Sequence, residues 1–94
     1  MVMNADIQML RVFQFELRSK LKVSNFDNVV KRIMLDCLSD VHLPMHQYSR
    51  VANNVAFDDL KKKLASKVVS RLEAERINPN IIKRAETYIN KLTR

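Results

Sequence analysis

Four stretches of the chain space their apolar residues by three and four positions, the pattern of helices buried along one side. In the first, Ile7, Leu10, Phe13, Leu17 and Leu21 make a stripe over about Ala5 to Lys22, with Asn4 in the N-cap position. Val12, Phe15 and Val23 lie well off that stripe, so this helix is apolar on two sides. Such a helix is either central in its own domain or shared with a second chain. In the second stretch, Phe26, Val29, Val30, Ile33, Met34, Cys37 and Leu38 advance in steps of three and four. Ser24 followed three residues later by Asp27 has the form of a capping box and marks where this helix starts.

Pro44 disfavours helical backbone at Leu43, which predicts a loop across Ser39–Met45. A third helical region begins near Met45 and runs to about Arg76, with Phe57, Leu60, Leu64, Val68 and Leu72 on its apolar side. Asp58 and Asp59 suit the first turn of a helix renewed after a break near Asn53 and Asn54, so the region reads as one helix or as two. Asn78 followed by Pro79 predicts an N-cap and a first-turn proline. The last helix then covers Pro79 to Leu92 and buries Ile81, Ile82, Ala85, Ile89 and Leu92.

Composition points the same way. The 94 residues include no Gly and two Pro, so turns that need positive φ would have to use Asn or Asp, while helix-favouring Leu, Lys, Arg, Met and Ala abound. The expectation is an all-α single domain over residues 1–94: a compact bundle of four short helices, five if the third region breaks, with no sheet. Cys37 is the lone cysteine, which rules out an internal disulfide and fits a reducing compartment, cytoplasmic or nuclear. No apolar run reaches the ~20 residues of a membrane span. The first residues lack the apolar core of a secretory signal, and Asp6 and Glu16 do not suit a transit peptide.

Charge changes the picture from fold to partner. Residues 1–60 carry seven Lys/Arg and seven Asp/Glu, whereas residues 61–94 carry ten and three, so the chain's net charge of +7 resides in its last third. Lys63, Lys67 and Arg71 stand four apart and form one row, with Lys62, Ser66 and Ser70 beside it. Lys83, Thr87 and Lys91 form a second row on the last helix, with Arg84 and Arg94 close by. Any single charge run is ordinarily a solvated helix face. Here the excess is confined to two consecutive helices with few acidic residues to pair with it, which favours a polyanionic partner. Cations with hydroxyls between them suit phosphates rather than base edges. Phe13, Phe15, Phe26 and Phe57 read as core or interface and Tyr88 as an edge-of-core tyrosine, leaving few aromatics for unstacked bases. A duplex backbone is therefore the preferred target.

Other chemistries find less support. Ser49–Phe57 has the small residues Ala52 and Ala56 of a helix-turn-helix, but Lys62 falls where a buried aliphatic is required. Cys37, Asp40, His42 and His46 lack the paired spacing of a zinc site, so no metal and no cofactor is expected. The absence of Gly excludes phosphate-cradling loops, a core thiol is inert, and Asp58 and Asp59 splay apart on a helix, so no enzyme is expected. The sequence thus points to a non-enzymatic nucleic-acid-binding protein, regulatory in the manner of small phage and viral proteins. Lys62, Lys63, Lys67, Arg71, Lys83, Arg84 and Lys91 would hold the nucleic acid, and Val12, Phe15 and Val23 a homodimer interface. The alternative is a helical adaptor or inhibitor that docks an acidic protein through its first helix and basic face. A membrane-surface binder is a third reading, weakened by the few large apolar residues flanking the basic rows.

Overall fold

The computed structural model describes residues 4–41 and 53–93, with side chains from 11 and from 55 onward in those two segments. The expectations placed on Ile7, Leu10, His42, Pro44, His46, residues 45–52 and Arg94 lie outside what is described. The described chain is all-α: α1 (Asn4–Lys22), α2 (Asn28–Asp40), α3 (Asn53–Ala74) and α4 (Pro79–Asn90). Each helix packs against the next in chain order.

The inward stripes are those the spacing predicts, except that Ile81 and Ile82, in the first turn of α4, are only partly buried against the core. Phe13, Leu17 and Leu21 of α1, Val30, Met34 and Leu38 of α2, Leu60, Leu64, Val68 and Leu72 of α3, and Ile89 of α4 are all fully buried. Burying each such side chain contributes roughly 1.5–3 kcal/mol, which makes this cluster the main stabilising element. Phe13 and Phe57 meet edge to face, centroids 5.4 Å apart, and join α1 to α3. The amide of Gln14 donates to the carbonyl of Val41 at 3.2 Å and fastens α1 to the end of α2.

Three local expectations are corrected. Asp27, not Ser24, is the N-cap of α2: its carboxylate accepts from the Val30 N–H at 2.9 Å. The Ser24 hydroxyl instead donates to the Leu21 carbonyl at 2.6 Å, so Ser24 closes α1 while Asp27 opens α2. Val29, in the first turn of α2, stands 60% exposed rather than on the buried stripe. Asp58 and Asp59 fall in the second turn of α3, which is already helical at Asn53, and α3 runs unbroken to Ala74.

The end of α3 is a Schellman motif made without glycine. Arg76 takes a left-handed conformation with φ 56°, the Ile77 N–H donates to the Leu72 carbonyl at 3.0 Å, and the Arg76 N–H to the Glu73 carbonyl at 3.0 Å. Asn78 then caps α4 through its side chain, with Pro79 in the first turn, as expected.

Candidate nucleic-acid interface

Lys62, Lys63, Lys67, Arg71, Lys83, Arg84 and Lys91 are all solvent-exposed, and among the described residues none makes an ion pair within 4 Å. The fold sorts them into groups. On the α2 side of α3, Lys63 and Lys67 line a groove with Ser66, Asp40 and Val41. The groove continues past Cys37, Ser70 and Arg71. The row of three cations and two serines is therefore intact along one flank, with one carboxylate entering from α2.

On the other flank of α3, Lys62, Ser66 and Ser70 face Glu86 and Asn90 of α4. Further along, that groove is lined by Glu73, Glu86 and Lys83. Thus the two basic rows do not merge. They border different grooves, separated by one that holds two glutamates. Lys91, at the C-cap of α4, joins none of these linings.

Lys83, which also borders the glutamate groove, and Arg84 line a cleft of about 560 Å³ where the α1–α2 connection meets α4, together with Asn25, Phe26, Asn80, Thr87 and Tyr88. Phe26 and Tyr88 meet edge to face at 5.7 Å, and the Arg84 guanidinium lies over the Phe26 ring, 5.2 Å from its centroid. The Tyr88 hydroxyl donates to the Lys20 carbonyl at 2.8 Å, fixing the ring at the core's edge as expected. Phe26, by contrast, is only half-buried. It packs at the edge of the core, where the connection before Asp27 lays it against α4. An aromatic beside cations was the available signal, but the partners are distant in sequence.

One lysine of the basic third is a structural part. Lys61 is 8% exposed, and its ammonium donates to the carbonyls of Leu92 at 2.6 Å and Asn90 at 3.3 Å. These are carbonyls at the end of α4 with no helical partner, where a cation also meets the negative end of the dipole. Asp58 adds an ion pair at 3.4 Å, and the Phe57 ring lies 5.5 Å beneath the ammonium. Lys20 of α1 likewise donates to the Thr93 carbonyl.

Cys37 is buried on the α2 stripe, and burial pushes its thiol pKa up. Arg71 and Lys67 of α3 pull it down while Asp40 and Asp36 of α2 reinforce the rise, so the groove carries charges of both signs. A thiol held neutral in this way is a small hydrophobe rather than a nucleophile.

On the outer side of α1, Val12 is 46% and Phe15 70% exposed, and Val23 just past its end 81%, opposite the buried Leu17 and Leu21, with the exposed Arg11 and Lys22 on either side of Phe15. No helix among the described residues is long and apolar enough to cross a membrane. Compared with protein-family models, curated proteins and solved structures, the chain matches none.

Proposed function

We propose that this is a non-enzymatic nucleic-acid-binding protein that holds a duplex backbone along the α2–α3 groove. The observation that carries this reading is the row of Lys63, Lys67 and Arg71, exposed, interleaved with Ser66 and Ser70, and lining one groove. Cations one helical turn apart are about 6 Å apart along the axis, roughly two phosphate rises of one strand, so the row meets several phosphates without reading bases. Lys62 extends the positive field on the neighbouring flank. A regulatory role is proposed by analogy with small phage and viral proteins of this size and character.

The test is a binding titration of a short blunt duplex at several salt concentrations. Lys63→Glu, Lys67→Glu and Arg71→Glu together are expected to weaken binding by about a hundredfold or more and to flatten the slope of log K against log salt by about 3. A control with Arg11→Glu, Lys22→Glu and Arg32→Glu changes net charge equally at exposed positions of α1 and α2 and is expected to lose far less. Equal losses in both triples would reduce the interaction to net charge and remove the groove.

One observation favours a second reading. The exposed Val12, Phe15 and Val23 offer α1 as a surface for a second copy of the chain or for an acidic protein whose charge the basic helices would meet.

A further inference from the structure

The cleft between the α1–α2 connection and α4 differs in kind from the grooves flanking α3. Those include Asp40, Glu73 or Glu86 in their walls, whereas this one is lined, among the described residues, by two cations, two aromatics, two amides and a hydroxyl, with no carboxylate. Its volume, about 560 Å³, lies within the range of small-ligand sites. Phe26 with the Arg84 guanidinium over it is a flat, cationic surface of the type on which an unpaired base stacks. Tyr88 is held in place beside it because its hydroxyl is committed to Lys20. Asn25 and Asn80 can both donate to and accept from a base edge, and the Lys83 ammonium is a point charge for a phosphate.

We infer that this cleft takes a single unpaired nucleotide, its base against Phe26 and Arg84 and its phosphate toward Lys83, at the end of a bound duplex. The inference rests on the nucleic-acid reading above and adds to it a preference for duplexes that carry a single-stranded extension. The α2–α3 groove supplies affinity that falls with salt. The cleft supplies stacking, which is far less sensitive to salt.

Two fluorescent duplexes of the same sequence separate these contributions, one blunt and one extended by unpaired nucleotides at one end. The wild-type protein is expected to bind the extended form about tenfold more tightly, and to lose only the share of that ratio owed to the Lys83–phosphate contact as salt weakens both. Arg84→Lys keeps the charge but removes the planar guanidinium, and Phe26→Leu removes the ring. Each is expected to bring the ratio to about 1–3 while blunt-duplex affinity stays within about twofold. Because Phe26 is half-buried, folding of Phe26→Leu is checked by its thermal transition, and the exposed Arg84→Lys decides the matter alone if that variant fails to fold. A wild-type ratio near one with the blunt duplex bound would overturn the cleft and leave the duplex reading standing. A preference that survives in Arg84→Lys and in folded Phe26→Leu would also overturn it. Binding of neither duplex would remove both.

Discussion

Lys61 and Lys62 are adjacent in the chain, yet the helical step of about 100° between them sends one ammonium into the molecule and the other into solvent. The buried Lys61 is tolerated because two carbonyls and the Asp58 carboxylate satisfy its charge. The pair with the exposed Asp58 adds little on its own, so the carbonyl bonds should dominate. Lys61→Met keeps the apolar stem and leaves the Asn90 and Leu92 carbonyls without their donor. It is expected to lower the free energy of unfolding by about 1–3 kcal/mol in urea titrations, against about 0.5 or less for Lys62→Met. Equal midpoints for the two variants would show that the end of α4 does not depend on this lysine.

At the scale of elements, the helices are set by their ends. Asp27 and Asn78 each supply a side-chain oxygen to a first-turn N–H. The end of α3 is under strain by comparison, because Arg76 occupies the left-handed position usually taken by glycine. Arg76→Gly should relieve that cost and raise stability by about 0.5–1 kcal/mol, seen as a higher thermal midpoint. Ala74→Gly, two residues earlier and helical, should instead cost about 1 kcal/mol. A fall in midpoint for Arg76→Gly would mean that the arginine side chain contributes more at this turn than its backbone costs.

Across the whole molecule, the positive charge of the last third is divided rather than pooled. One row lies in the α2–α3 groove, one pair in the cleft beside Phe26, and Lys61 serves the fold. The outer side of α1, where Phe15 stands between the exposed Arg11 and Lys22, lies apart from all three. If a second copy covers that side, Phe15→Asp is expected to convert a dimer to a monomer in gel filtration at high protein concentration without loss of helicity. Identical elution of the two proteins would remove α1 as an interface between copies.

The four helices, their inward stripes, the Asn78–Pro79 boundary and the apolar residues on the outer side of α1 were legible in the residues, because each depends on neighbours within a turn or two along the chain. The capping of α2 was misread because Ser24 and Asp27 both have capping side chains, and only the path of the chain shows which helix each one serves.

What the amino-acid order determined by itself is therefore the set of amphipathic rods and the surplus of cations on the last two. What the packing alone decided is where each cation ends up. Lys61 against the end of α4, Asp40 beside Lys63 and Lys67, and Arg84 over Phe26 join residues 23 to 58 positions apart or on different helices. Periodicity gives the direction of a side chain about its own helix axis but not the neighbour that meets it there. That neighbour is set by how the burial of all four stripes is satisfied at once.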